Sequence, residues 1–208
     1  MQSRSAILQA MTTTLLTLLA AYLLGSLSAA VLLSRAFNLP DPRSYGSGNP
    51  GATNVLRTGN KRIAALTLLG DGLKGTLAVW LAMLVGTQIS TPDWLPALAG
   101  LAAFIGHLWP VFFDFKGGKG VATALGILLA LNPLLGLACL LAWLTVFALT
   151  RVSSLSALVA SAAVPFFAAW LDEAGLGALI ILVILIFWRH RTNIQRLVRG
   201  EEGGFRKP

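Results

Sequence analysis

The sequence predicts an all-α integral membrane protein with seven transmembrane helices. Of its 208 residues, 56% are hydrophobic and only 12% are charged, and the mean hydropathy is +0.75. A water-soluble domain of this composition would not stay dispersed. A helical span needs roughly 20 apolar residues, so the chain has room for about six or seven spans. We therefore expect one transmembrane domain, residues 1–208, with no sizeable soluble part.

Seven apolar runs bounded by polar breaks mark the predicted spans. In chain order they cover residues 12–33, 63–87, 95–113, 121–131, 133–150, 155–171 and 175–188. The first run also resembles a signal peptide, because Arg4 precedes it and the small residues 28–30 lie near its end. It is long enough to span the membrane and Arg35 follows it, so we expect a retained helix with its N-terminus outside.

The stretch 121–150 could form one long tilted helix or two shorter helices divided at Asn132-Pro133. Two helices would put the basic loops and the basic tail from Arg189 onward on one side of the membrane. The acidic residues between the other runs would then share the opposite side: Asp93, Asp172 and Glu173. Because basic residues accumulate in cytoplasmic loops, we predict seven spans, a periplasmic N-terminus and a cytoplasmic C-terminus.

Charge and cysteine content narrow the possible partners. The net charge of +8 does not indicate nucleic acid, because the 16 Lys and Arg residues lie at the ends of apolar runs and not along one basic face. The single cysteine, Cys139, lies inside an apolar run, so it forms no disulfide within the monomer and offers no cluster for a metal. We expect the lipid bilayer as a partner, and no nucleic acid, cofactor or metal.

Two glycine-rich segments interrupt the apolar pattern: S-G-N-P-G-A-T-N-V-L-R, from Ser47 to Arg57, and F-K-G-G-K-G-V-A-T, from Phe115 to Thr123. Glycines leave backbone N–H groups accessible, and neighbouring Lys, Arg or Ser side chains add charge and donors, so both segments suit phosphate oxygens. A third polar segment, H-R-T-N-I-Q-R, begins at His190. The predicted topology puts all three on the cytoplasmic face, which indicates a phosphate site at the membrane surface.

Several common catalytic motifs are absent from the sequence. Neither His107 nor His190 is followed five positions later by Asp, so the H-x-x-x-x-D motif of ordinary glycerolipid acyltransferases is missing. The chain also lacks G-x-S-x-G, H-E-x-x-H and G-x-x-x-x-G-K-[ST], as well as the spaced aspartates that hold a metal in CDP-alcohol phosphotransferases. Any catalysis must therefore proceed without an obvious metal or an Asp-oriented histidine.

The three segments resemble the motifs of the bacterial membrane acyl-phosphate:glycerol-3-phosphate acyltransferase family, the PlsY type, both in their order and in lying on one side of the membrane. The resemblance covers nearly the whole chain. The family's first motif corresponds to Ser47, Gly48, Asn49, Gly51, Ala52, Thr53, Asn54 and Arg57. Its second motif corresponds to Lys116, Gly117, Gly118, Lys119, Gly120 and Thr123, and its third to His190, Asn193 and Glu201.

The resemblance implies transfer of a fatty acyl group from acyl phosphate to the 1-hydroxyl of sn-glycerol 3-phosphate. The products would be lysophosphatidic acid and phosphate, in the first step of membrane phospholipid synthesis. It further implies the bacterial inner membrane, an active site facing the cytoplasm, and the soluble enzyme that makes acyl phosphate as a further candidate partner. Acyl phosphate is a mixed anhydride with a good leaving group, so positioning and charge stabilisation can supply most of the rate.

The resemblance and the available charges assign roles to individual residues. Catalytic roles fall to Ser47, Arg57, His190 and Asn193. Binding of substrate phosphate falls to Gly48, Asn49, Gly51, Thr53, Asn54, Lys61, Lys116, Gly117, Gly118, Lys119, Gly120, Thr123, Arg151 and Ser153. Structural or site-supporting roles fall to Asp71, Lys74 and Glu201. Within this set, the second motif would bind glycerol 3-phosphate through lysine charges and glycine N–H groups.

Several alternatives stay open. Either His190 or a substrate phosphate could take the proton of the attacking hydroxyl. Asp71 and Lys74 lie three residues apart inside the second run, so they form a structural ion pair or a pair that reaches the phosphate site. These charges, with the break at Asn132-Pro133, are also typical of a small multi-pass transporter for a phosphorylated solute. A non-catalytic lipid-binding scaffold would explain the basic tail but not the glycine-rich loops.

Overall fold

The computed structural model describes residues 4–89 and 91–204, which form a helical bundle in which no strand occurs. Residues 1–3, Ser90 and residues 205–208 of the predicted domain lie outside the described residues. The helices are α1 (Arg4–Gly25), α2 (Ala29–Ala36), α3 (Ala52–Val55), α4 (Lys61–Gln88), α5 (Leu95–Leu108), α6 (Val121–Leu131), α7 (Pro133–Thr150), α8 (Ser153–Trp170), α9 (Leu176–Arg189) and α10 (Arg191–Val198). Short 3₁₀ turns follow α3 at Leu56–Thr58 and α5 at Val111–Phe113. The all-α prediction is confirmed.

Helix length and composition identify the candidate membrane spans. Five helical stretches of the described chain are long and apolar enough to cross a bilayer: α1, α4, α5 with its 3₁₀ turn, α7 and α8. The pair α9 and α10 makes a sixth if it is counted as one span bent by 58°. The 11-residue α6 rises only about 16 Å at 1.5 Å per residue. The described helices thus supply five or six spans by this measure, against the seven predicted.

The first predicted run is divided by a short break between α1 and α2. The hydroxyl of Ser26 donates to the Tyr22 carbonyl at 2.9 Å, and Ser28 caps α2 by accepting from the amide of Val31 at 3.4 Å. Serines can satisfy backbone groups outside a helix in this way, so they permit a break inside an apolar run. The ammonium of Lys74 donates to the Leu27 carbonyl at 2.7 Å, which supplies a partner for the backbone within the break.

The stretch 121–150 consists of two helices, as the sequence predicts. Proline lacks an N–H and is tolerated at the first position of a helix, and Pro133 begins α7. The side chain of Asn132 caps this helix by accepting from the amide of Leu134 at 3.0 Å. A Cβ added at Gly136 would lie 2.7 Å from the Cα of Leu129, so α6 and α7 pack closely beside the turn.

Small residues allow the central helices to approach one another, and large apolar residues cover the outside. A Cβ added at Gly25 of α1 would collide with the backbone of Ala103 in α5. One added at Gly75 of α4 would lie 2.5 Å from the carbonyl oxygen of Thr123 in α6. Such contacts are typical of helix association in membranes. The outward side chains include several that are more than 60% exposed, as suits contact with lipid: Leu15, Leu69, Leu84 and Leu141.

Candidate active site

A cavity of about 650 Å³ lies where α4, α6, α7, α8 and α9 meet the polar loops. Side chains from all three polar segments line its polar end: Ser47, Arg57, Lys119, His190 and Asn193. Its apolar part follows α6 to α9 and is lined by residues that include Leu128, Cys139, Val164 and Leu182. These apolar residues lie about two to three turns inside their helices. The cavity therefore extends from the polar loops into the middle of the bundle.

Asn54 organises the first glycine-rich segment. Its side-chain amide donates to the carbonyls of Pro42 at 2.7 Å and Tyr45 at 3.1 Å, and its oxygen accepts from the Ser47 amide at 3.1 Å. The residue is only 1% exposed, so these bonds fix the loop that carries Ser47. Gly46 has φ +58°, and a Cβ there would lie 2.9 Å from a guanidinium nitrogen of Arg57. Glycine thus lets Arg57 pack across the loop.

The second glycine-rich segment folds tightly against the end of α5. The amide of Gly118 donates to the His107 carbonyl at 3.2 Å, so this N–H is occupied within the protein. A Cβ at Gly118 would collide with the His107 ring and lie 3.0 Å from the Pro50 carbonyl oxygen. Gly120 has φ +78° and packs against the ring of Phe104. The glycines are therefore needed for close packing that holds Lys119 at the cavity.

Lys119, Asn193 and Glu202 form a hydrogen-bonded chain across the polar end. The Lys119 ammonium donates to the side-chain oxygen of Asn193, whose amide nitrogen donates to Glu202 Oε1 at 2.5 Å. The Ser154 hydroxyl donates to the same oxygen at 2.6 Å, and Arg196 Nε donates to Oε2 at 2.6 Å. The Glu202 side chain is 8% exposed. Its carboxylate thus fixes which end of the Asn193 amide faces Lys119.

The local environment shifts the pKa values of both ends of this chain. Burial lowers the pKa of Lys119 to about 8; Glu202 raises it in part, and the neighbouring cations Arg196, Arg189 and Arg57 lower it. Burial raises the pKa of Glu202, but the hydrogen bonds from Ser154, Arg196 and Asn193 outweigh it and leave the pKa below its usual value. Glu202 is accordingly ionised near neutral pH, while Lys119 can lose its proton in mildly alkaline solution.

His190 lies at the bend between α9 and α10 and is 2% exposed. Its Nδ1 is 2.8 Å from the Ile186 carbonyl oxygen. A carbonyl only accepts, so Nδ1 carries the hydrogen and donates. In the neutral ring, Nε2 then has the free lone pair. A backbone carbonyl thus sets the tautomer of His190. The sequence had indicated no Asp or Glu that could do so.

A buried polar cluster lies beside the cavity inside the bundle. The Lys74 ammonium is 3.0 Å from Asp71 Oδ1, as the i, i+3 spacing predicted. His107 Nδ1 lies 3.2 Å from the Thr123 hydroxyl and 3.6 Å from the same Asp71 oxygen. Asp71 and His107 line the cavity and Lys74 does not. Lys74 instead contacts the Leu27 carbonyl, so this ion pair joins the α1–α2 break to the wall of the cavity.

The structure brings most of the predicted site residues to this cavity. Besides the five named for its polar end, the lining includes Asn49, Gly51, Thr53, Asn54, Asp71, Gly120 and Ser153. The remaining predicted residues do not line it: Gly48, Lys61, Lys74, Lys116, Gly117, Gly118, Thr123, Arg151 and Glu201. Three of these cations lie exposed on the surface: Lys61, Lys116 and Arg151. Thr123 and Gly118 do not reach the cavity themselves but contact His107, which lines it.

Sequence reasoning missed several residues of the polar end. Glu202, Ser154, Arg196 and Gly46 line the cavity, whereas the neighbouring Glu201 is exposed. The two glutamates are adjacent after α10, and no periodicity distinguishes them there. Within residues 4–89 and 91–204, no group of three or more His, Cys, Asp or Glu side chains could hold a metal ion.

Known proteins are similar to this chain in both sequence and fold. A family model described as glycerol-3-phosphate acyltransferase matches residues 15–200. A glycerol-3-phosphate acyltransferase of Methylobacillus flagellatus is 57% identical over 192 residues, covering 91% of this chain and 95% of the relative. The relative from Thiobacillus denitrificans is also 57% identical over 192 residues, covering 90% of this chain and 95% of its own.

Two solved structures of an integral membrane glycerol 3-phosphate acyltransferase, PlsY, have the same fold. The glycerol 3-phosphate form has a TM-score of 0.86 and 38% identity, and the lysophosphatidic acid form has a TM-score of 0.85 and 38% identity. Each alignment covers 93% of this chain and 96% of the solved chain. The family model and these relatives extend over nearly the whole length. The chain therefore belongs to the glycerol-3-phosphate acyltransferase family.

Proposed function

We propose that this acyltransferase takes a fatty acyl group from acyl phosphate and transfers it to the 1-hydroxyl of sn-glycerol 3-phosphate. The products are lysophosphatidic acid and inorganic phosphate. The observation that carries the proposal is the continuous cavity, which joins a cationic end at Arg57 and Lys119 to an apolar part along α6 to α9. One cavity can thus hold phosphate oxygens and a hydrocarbon chain with the carbonyl between them.

In the reaction, the C1 hydroxyl oxygen of glycerol 3-phosphate attacks the carbonyl carbon of acyl phosphate. The new ester C–O bond forms as the bond from that carbon to the phosphate oxygen breaks, and phosphate leaves with the electron pair. Arg57 and Lys119 offset the repulsion between the two phosphorylated substrates and stabilise the carbonyl oxygen as it gains charge. Glu202 and Asn193 hold Lys119 in place through their hydrogen bonds.

The attacking hydroxyl needs orientation more than a strong base. Nε2 of His190 is the acceptor in the neutral ring, because Nδ1 donates to the Ile186 carbonyl. It can accept a hydrogen bond from the hydroxyl and direct its oxygen toward the carbonyl carbon. The proton passes to the departing phosphate oxygen, so that phosphate leaves as hydrogen phosphate. His190 therefore orients the nucleophile, Ser47 contacts substrate oxygens, and phosphate ends the reaction protonated.

We also propose seven crossings, with the N-terminus periplasmic and the active site facing the cytoplasm of the bacterial inner membrane. Residues around 47, 119, 153 and 190–204 line one cavity end, so the chain returns to the same side between each of them. The short α6 and the longer α7 together make the return between 119 and 153. Gly117 and Gly118 are buried, which supports a loop that enters the bundle and leaves α6 short. At the depth of the membrane, non-helical backbone is tolerated only where protein surrounds it.

Topology can be tested by single-cysteine labelling in a Cys139→Ser background. Exposed positions on the proposed cytoplasmic side are Thr53, Lys116 and Arg199, and Asp93 serves as the periplasmic counterpart. We expect an impermeant thiol reagent added outside intact cells to label only the cysteine at 93. External labelling at any of the other three would contradict the proposed orientation.

The reaction itself can be tested with purified protein, radiolabelled glycerol 3-phosphate and palmitoyl phosphate. We expect 1-acyl lysophosphatidic acid and inorganic phosphate in equal amounts. A bulky substitution, Ala160→Trp, in the apolar lining should block long acyl chains more than short ones, with Ala142→Trp outside the lining as its control. Phosphate release without acylated product would contradict the proposal, because it would indicate hydrolysis.

A further inference from the structure

Arg189 binds the second glycine-rich segment from the side that faces away from the cavity. Its Nε donates to the carbonyl of Gly118 at 3.0 Å, and its Nη2 donates to the carbonyl of Gly117 at 2.7 Å. Two consecutive carbonyls thus accept from one planar guanidinium. A fork of this kind fixes the direction of both carbonyls, which a single ammonium cannot do. Arg189 itself does not line the cavity.

This contact joins all three polar segments. Gly118 also donates its amide to the His107 carbonyl at 3.2 Å and packs against the carbonyl of Pro50, in the first segment. Arg189 directly precedes His190, and Gly118 directly precedes Lys119. A displacement of the guanidinium would therefore move the two cavity residues Lys119 and His190 relative to each other.

The guanidinium of Arg189 is held by carbonyl oxygens. Within residues 4–89 and 91–204, no Asp or Glu oxygen lies within 4.0 Å of its guanidinium, and its polar contacts are the two carbonyls. Arg191, two residues later, differs in its surroundings. It is exposed, lies 4.8 Å over the Trp188 ring, and donates to the Trp188 carbonyl at 3.3 Å.

We propose that Arg189 is a positioning residue that fixes the loop at Gly117 and Gly118, and with it Lys119, for binding the phosphate of glycerol 3-phosphate. The inference rests on the proposed function, because it assigns this loop to that substrate. Two features support it: the guanidinium donates to two consecutive glycine carbonyls, and this half-buried cation has no acidic partner among the residues that the structure describes. The guanidinium acts through the backbone of the loop, and its charge adds to the positive potential at the cavity.

The test compares Arg189→Lys and Arg189→Gln with the matched controls Arg191→Lys and Arg191→Gln. Equilibrium binding of glycerol 3-phosphate is measured by calorimetry on detergent-purified protein without an acyl donor. Steady-state KM and kcat for both substrates, and the thermal unfolding midpoint, are measured in parallel. We expect Arg189→Lys to weaken binding by about 10-fold, because the charge stays while the fork is lost. Arg189→Gln should weaken it further, and both Arg191 variants should stay within about twofold.

The outcomes separate this inference from the proposed reaction. A rise in KM for glycerol 3-phosphate with little change in kcat, in KM for acyl phosphate or in the unfolding midpoint supports a positioning role. Unchanged binding in Arg189→Lys, or an equal loss in Arg191→Lys, overturns it. A loss that tracks a lowered unfolding midpoint also overturns it, as does a change in acyl-phosphate KM alone. Binding measured without a donor tests Arg189 even if acyl phosphate proves to be the wrong donor.

Discussion

Glu202→Gln tests the hydrogen-bonded network at the polar end. The carboxylate accepts from Ser154, Asn193 and Arg196 at 2.5 to 2.6 Å. Glutamine keeps one acceptor oxygen, which can still serve Ser154 and Asn193, but its amide nitrogen cannot accept from Arg196. A hydrogen bond to a charged group contributes about 1.5 to 3 kcal/mol. The Arg196 side chain is 44% exposed, so its own bond contributes less than that.

The main cost is therefore a weaker hydrogen bond from Asn193, because a neutral amide oxygen is a poorer acceptor than a carboxylate. Asn193 in turn holds Lys119 less firmly. We expect kcat/KM to fall by about 10-fold, because a neutral acceptor in place of a charged one weakens a hydrogen bond by about 1 to 1.5 kcal/mol. The assay is radiolabelled acyl transfer at fixed pH with each substrate varied in turn. The matched control is Glu201→Gln, because Glu201 is adjacent and exposed. Activity within twofold of wild type for Glu202→Gln, or an equal loss for both variants, would refute the reasoning.

Three further outcomes follow from the site. The KM for glycerol 3-phosphate should rise as the pH increases through about 8, because the lowered pKa of Lys119 lets its ammonium lose the proton there. Lys119→Arg should abolish this rise, and a wild-type KM that does not change with pH would contradict the prediction. His190→Gln should lower kcat by less than about 100-fold, whereas a larger loss at unchanged KM would make His190 the base if an ionisation disappeared near the pKa of about 4 to which burial lowers this ring. Asp71→Asn should lower the thermal unfolding midpoint, because it leaves the buried Lys74 ammonium without its ion-pair partner, while the exposed Asp93→Asn should not.

The helical fold was predictable where local chemistry dominates. Pro133 cannot continue a helix from the preceding residues and Asn132 can cap a new one, so the division of 121–150 follows from two residues. The break at 26–28 was not predictable in the same way. Its serines satisfy backbone groups locally, but its carbonyl at Leu27 depends on Lys74, which is distant in sequence. Only the assembled bundle brings that ammonium to the break.

The site was predictable in its segments but not in all of its contacts. Glycine spacing and charge pointed to the loops that the structure brings to one cavity. Gly118 was expected to offer its N–H to phosphate, but in the folded protein that amide donates to His107. Glu202 was missed in favour of Glu201, because the turn after α10 decides which carboxylate faces inward. The apolar lining along α6 to α9 has the same composition as any membrane helix, so no sequence signal separated it from lipid-facing surface.

The most direct test of the central claim is a comparison of acyl donors with the purified protein. Palmitoyl phosphate, palmitoyl-CoA and palmitoyl-acyl carrier protein are supplied in turn at equal concentration, with radiolabelled glycerol 3-phosphate as the acceptor. The mixed anhydride alone carries its phosphate directly on the reacting carbonyl, where the cationic end of the cavity can hold it, so lysophosphatidic acid should form only from palmitoyl phosphate. Turnover of either thioester at a rate equal to that of palmitoyl phosphate would contradict the account.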